Sequence, residues 1–64
     1  MRRFRLVWLP ANAYVYDLSN AHPYTTDPLK AKTWKSQAAV ERYLLLKDRS
    51  WAAQCQIEAF ELVA

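Results

Sequence analysis

No glycine occurs anywhere in these 64 residues, and that absence constrains both the turns the chain can make and the chemistry it can carry. Glycine enters left-handed backbone conformations at no steric cost, so a chain without it must turn with proline, asparagine, aspartate and serine. The stretch "FRLVWLPANAYVYDL", residues 4–18, shows how. Phe4, Leu6 and Trp8 alternate with Arg5, Val7 and Leu9, and Tyr14, Tyr16 and Leu18 alternate with Ala13, Val15 and Asp17, the period of half-buried strands. Between the two runs, Pro10 presets the backbone for the second position of a type I turn, and Asn12 is the best non-glycine residue for the left-handed position that follows. A hairpin over residues 4–18 is expected. Phe4, Leu6, Trp8, Tyr14, Tyr16 and Leu18 form one face of it, and Val7, Leu9, Ala13 and Val15 the other.

The same absence removes whole classes of function. Phosphate-cradling loops and dinucleotide turns need positions that only glycine occupies, so nucleotide-dependent catalysis and a bound cofactor are not expected. His22 and Cys55 are the single histidine and the single cysteine, too few for a zinc ligand set. A Cys55–His22 nucleophile pair would lack anything to lower the thiol pKa, and Cys55 reads as a structural residue. A lone cysteine also forms no intramolecular disulfide, which points to a reducing cytoplasm. Glu58 and Glu61, three apart on a strand, face opposite sides and read as solvent-facing residues that discourage edge pairing. No catalytic residue, no metal ligand and no enzyme activity are expected.

Downstream of the hairpin, residues 19–35 form a long loop stiffened by Pro23 and Pro28 and turned by Ser19, Asn20 and Asp27; "KAKTW" within it could add a short strand. Ser36 is a good N-cap, and a helix is expected over 36–49, with Ala39, Val40, Tyr43, Leu44 and Leu46 on its buried face. A final strand is expected over 54–63. Its apolar phase changes at Phe60, which implies either a bulge near Ala59 and Phe60 or partial burial of both faces. The fold class is therefore α+β: a single domain with a mainly antiparallel sheet of three or four strands on one helix. Its expected core is Phe4, Leu6, Trp8, Tyr16, Val40, Tyr43, Leu44, Ile57 and Phe60.

The chain opens with a basic cluster, but Pro10 and Asn12 break the apolar run that a signal peptide needs. No stretch approaches the roughly 18 apolar residues of a membrane span. A soluble cytoplasmic protein that keeps Met1 is expected.

The net charge of +3 is uneven: residues 1–35 carry a formal +4 and residues 36–64 a formal −1. A basic half can mark a nucleic-acid partner. Apolar side chains on both faces of the hairpin mark something else, because one helix covers only one face of a small sheet. The second face must be covered by the loop through Tyr24, Leu29 and Trp34, by a second copy of the chain, or by another macromolecule. On the last reading Tyr24, Leu29, Lys30, Lys32, Trp34 and Lys35 are the contacts to a protein partner.

Two resemblances bear on function. Strand, strand and then "KTWKSQAAVERYL" resembles the arm-type DNA-binding domain of tyrosine recombinases, in which a small sheet ends at an aromatic-x-Ser/Thr step that starts a helix. Here the step is Trp34-Lys35-Ser36, with Ala39 as the small residue under the helix. That resemblance implies DNA binding, with Arg3, Arg5, Lys30, Lys32 and Lys35 as phosphate contacts. In size and style the chain also looks like the compact α+β proteins of bacteriophages and mobile elements, anti-CRISPR proteins and other host-takeover inhibitors among them. This second resemblance implies stoichiometric binding to a host complex in the host cytoplasm. The leading expectation is a non-enzymatic protein-interaction module; a nucleic-acid-binding domain is the alternative, and a structural or homodimeric subunit is the third.

Overall fold

The first strand, β1 (Arg2–Trp8), organises the fold because both of its edges are paired in the computed structural model, which describes residues 1–62. One edge pairs antiparallel with β5 (Cys55–Glu61) along its whole length, from Arg2↔Glu61 to Trp8↔Cys55. The other edge is shared. Here β2 (Ala13–Val15) pairs with one end through Val7↔Tyr14 and Trp8↔Ala13, and β4 (Thr33–Trp34) pairs with the other through Phe4↔Trp34 and Arg5↔Thr33. Both run antiparallel to β1, so β2 and β4 occupy a single lane that the chain leaves after Val15 and rejoins at Thr33. The Lys32 N–H donates to the Val15 carbonyl at 2.9 Å where the excursion closes. Within the excursion, β3 (Tyr24–Thr25) adds to the outer edge of β2 through Tyr14↔Thr25 and Val15↔Tyr24. Helices α1 (Gln37–Leu45) and α2 (Arg49–Ala53) lie in the sequence between β4 and β5. The α+β class holds, with five strands and two helices in place of three or four strands and one.

The glycine-free turn forms as its residues demand. The Leu9 carbonyl accepts from the Asn12 N–H at 3.1 Å across Pro10 and Ala11. Asn12, with φ of 50°, is the only residue with positive φ among those described. This turn also corrects the expected faces of the hairpin. Residues directly opposite on antiparallel strands share a face, and pairing Trp8 with Ala13 puts Ala13 and Val15 with Phe4, Leu6 and Trp8. Tyr14 goes with Val7 to the opposite face. The strand also stops earlier than expected: the N–H groups of Tyr16 and Asp17 both donate to the Pro23 carbonyl, at 2.8 and 3.2 Å. Tyr16, expected in the core, is therefore exposed.

Leu6, Val15 and Val40 are fully buried at the centre of the core. Around them pack Phe4, Leu18, Tyr24, Trp34, Tyr43, Leu44, Trp51, Cys55 and Ile57. Trp8 stacks on Tyr24 with ring centroids 4.6 Å apart, and Trp34 meets Tyr43 edge-on at 5.0 Å, both favoured aromatic geometries.

Ser36 caps α1, its hydroxyl accepting from the Ala39 N–H at 3.2 Å. The helix does not reach residue 49. The Asp48 carboxylate accepts from the backbone N–H groups of Ser50 and Trp51 and starts α2 as its N-cap, an arrangement that competes with continuing the first helix. Leu46 is consequently not on a buried face; it and Leu45 are exposed. The second helix places Trp51 against the core, where its indole N–H donates to the Tyr24 hydroxyl at 2.8 Å. No bulge interrupts β5. Both of its faces are partly buried instead, and Phe60, expected in the core beneath the helix, lies opposite Arg3 on the face away from it. Val63, the expected end of this strand, lies outside the described residues. Among those residues no helix is long and apolar enough to cross a membrane.

Candidate interaction face

The side of the sheet without helices is built from alternate residues of four strands. Arg3, Arg5 and Val7 of β1 stand opposite Phe60, Glu58 and Gln56 of β5, with Tyr14 and Thr33 along the other edge. Arg5 is at its centre. The guanidinium carbon lies 4.7 Å from the Tyr14 ring centroid and 4.3 Å from that of Phe60, so it is held between two aromatic faces. Its Nε and Nη2 both bond to Glu58 Oε1. The Arg5 side chain is only 16% exposed, against 40% for Glu58. The Arg5 guanidinium thus supplies cover that Phe60 would otherwise find in the core. Arg3 Nε is buried with no hydrogen-bond partner among the described residues.

Two hollows flank this centre. One, of about 320 Å³, is lined by Val7, Leu9, Tyr14, Gln56 and Glu58, among others. The other, of about 450 Å³, brings Pro28 and Leu29 of the loop beside Arg5, Phe60 and Leu62. Leu29 is 94% exposed, Leu9 51% and Leu62 48%. Three leucines therefore rim a face whose middle is an engaged cation.

Short side-chain turns shape the loop that carries Leu29. Asn20 Oδ1 accepts from the His22 N–H at 3.0 Å, Thr25 Oγ1 from the Asp27 N–H at 3.1 Å, and Asp27 Oδ1 from the Leu29 N–H at 2.9 Å. Asp17 accepts from both the hydroxyl and the N–H of Ser19, and these bonds hold its carboxyl below the usual range. Such Asx-type turns supply the local closure that glycine gives other chains.

The loop residues expected to form one partner surface divide between two sides. Tyr24 and Trp34 face the core beneath the helices. The Lys32 ammonium lies 5.6 Å from the Trp34 ring and 5.9 Å from that of Tyr43, which Lys47 also approaches at 4.9 Å. Lys30 lines a hollow with Tyr16, His22 and Tyr24, Lys35 is exposed before α1, and Leu29 alone reaches the helix-free face. The five basic residues do not form one stripe either: Arg3 and Arg5 are on the helix-free face, Lys32 on the helix side. The sequence alone does not single out Tyr14, Glu58 and Phe60 as members of a site. The signal available was the pair Arg3 and Arg5 at alternate strand positions, whose stems can shield an aromatic ring on the face they share.

Cys55 is half-buried next to β1, and burial pushes its thiol up from 9.0 to about 11. Among the described residues no group of three or more His, Cys, Asp or Glu side chains is placed to hold a metal ion. No protein-family model matches this chain, and no curated protein or solved structure matches it either.

Proposed function

We propose that this chain is a non-enzymatic protein-interaction module and that its contact surface is the helix-free face, centred on Arg5, Tyr14 and Phe60 and rimmed by Leu9, Leu29 and Leu62. The observation that carries the reading is the exposure of those three leucines around an arginine already locked between two rings. Aromatic residues and arginine dominate the energetics of protein interfaces, and the exposed leucines on either side of this centre add apolar area that a partner can bury. The charge pattern favours a protein over a nucleic acid. On this face Glu58 already engages Arg5 and the Arg3 Nε is buried, so it offers a phosphate backbone few free cations. A phage-encoded inhibitor that occupies a surface of a host complex is the sharper form of the reading, and it would act through the same face.

The test is capture from host lysate with three baits compared side by side. Wild-type protein and Leu45→Glu, a substitution on the exposed side of α1, are expected to retain the same partner. A double variant Leu9→Glu/Leu29→Glu is expected to lose it, all three baits having wild-type folding spectra. Loss through Leu45→Glu alone, or capture of nucleic acid whose binding falls steeply with salt, contradicts the proposal.

A further inference from the structure

Beyond the helix-free face, β5 leaves one edge of the sheet unpaired among the described residues. Alternate residues of an antiparallel strand direct their N–H and C=O groups to the same neighbour. The Leu9 N–H donates to the Gln54 carbonyl and the Leu62 N–H to the Met1 carbonyl, so Gln56, Glu58 and Phe60 bond to β1. The backbone groups of Cys55, Ile57, Ala59 and Glu61 then point outward. Stable monomers guard such an edge with proline, lysine, a bulge, an unpaired inward charge or a covering segment. β5 contains no proline and no lysine, and its register is unbroken. Its two acids, which look like edge guards in the sequence, are drawn toward cations at the other side: Glu58 to Arg5, and Glu61 to Arg2 and Met1.

We propose that β5 pairs antiparallel with β5 of a second copy of the chain, about a twofold axis at Ile57. In that register Cys55 through Ala59 of each copy pair; Ile57 meets its own counterpart, Cys55 meets Ala59, and Gln56 meets Glu58, to whose carboxylate its amide can donate. Other outward-facing registers are poorer. An axis at Glu58 opposes two carboxylates, an axis at Ala59 sets Ile57 against Glu61, and an axis at Gln56 leaves only Cys55 through Ile57 to pair. Like charges directly opposite on neighbouring strands are destabilising, so the side chains select the axis at Ile57. The half-buried Ile57 gains cover, two sheets become one, and two helix-free faces lie side by side. A twofold contact of this kind closes without forming a filament.

Ala59→Cys tests the register directly. Opposite residues of a hydrogen-bonded antiparallel pair have Cα atoms about 5.5 Å apart, within disulfide reach. Cys55 and a thiol four positions along the same strand are about 13 Å apart, so no bridge forms within one chain. Oxidation of Ala59→Cys is expected to yield a covalent dimer on a non-reducing gel, and Glu61→Cys is expected not to. Gln56→Glu, at an exposed position, sets carboxylates opposite one another twice and should weaken the dimer about fivefold in sedimentation equilibrium, whereas Gln56→Lys should not weaken it. Wild-type protein that sediments as a monomer up to sub-millimolar concentration overturns the proposal, as does crosslinking through Glu61→Cys in preference to Ala59→Cys. Leu29→Glu, which disables the face offered to a foreign partner, leaves the crosslink unchanged, so the two proposals fail separately.

Discussion

Replacing Arg5 with methionine removes the guanidinium while keeping an apolar stem over Phe60. The substitution abolishes two contacts with aromatic rings, each about 0.5–1 kcal/mol at partly exposed sites. It also strands Glu58, whose only cation among the described residues is Arg5. Because Glu58 is 40% exposed, water replaces part of that interaction, and about 1 kcal/mol is an appropriate share. The total is about 2–3 kcal/mol. A domain of this size has about 3–10 kcal/mol of stability in all, so Arg5→Met should lower the melting temperature by about 10 °C or more. Arg5→Lys keeps the charge but loses the planar fork that stacks between the rings and reaches Glu58, and it should fall between methionine and wild type. The assay is thermal and urea unfolding followed by far-UV circular dichroism and tryptophan fluorescence, with Glu58→Gln added to complete a double-mutant cycle. Arg5→Met within about 0.5 kcal/mol of wild type, or Arg5→Lys indistinguishable from it, would refute the view that Arg5 is a structural centre of this face. It would instead leave Arg5 free for an external ligand.

Other consequences can be checked with the same preparation. Asn12 occupies the left-handed region, so Asn12→Gly should leave stability nearly unchanged while Asn12→Val should cost about 1–2 kcal/mol in urea unfolding. Tyr24→Phe removes the acceptor of the Trp51 indole N–H and should cost about 1 kcal/mol, with a shift in tryptophan emission. Burial holds the Cys55 thiol at about 11 instead of 9.0. Alkylation of Cys55 at pH 8 should therefore run far below the rate of a free cysteine and rise through pH 10. The linkage has the corresponding sign: the folded state keeps the thiol protonated to higher pH than the unfolded chain does. Its contribution to stability is complete below pH 9 and declines as pH rises toward about 11.

Local chemistry made much of this fold legible. Pro10 and Asn12 specify the hairpin turn, the alternation of residues 4–8 specifies β1, and Ser36 marks the start of α1, because each acts through its own backbone or its nearest neighbours. The faces of β2 were not legible. Ala13, Tyr14, Val15 and Tyr16 are apolar on both sides, so composition carries no phase information and the length of the turn decides it. Phe60 was misplaced for a related reason: alternation assigns an aromatic residue to the helix side unless something across the sheet can shelter it, and Arg5 does so from a distance of 55 positions in the chain. The end of α1 could have been read from Asp48, a capping residue followed by Ser50 and Trp51. The interrupted lane of β2 and β4 depends on a bond between Lys32 and Val15, a non-local pairing that no short stretch encodes. The loop therefore has two roles in one segment: Tyr24 closes the core, and Leu29 reaches the opposite face.

Side-chain footprinting of the chain, free and bound to its captured partner, reads which face makes the contact. Binding through the helix-free face protects Leu9, Tyr14, Leu29 and Leu62 and leaves Leu45 and Leu46 of the helix side labelled equally in both states. Protection of Leu45 and Leu46 with the helix-free face left open would contradict it.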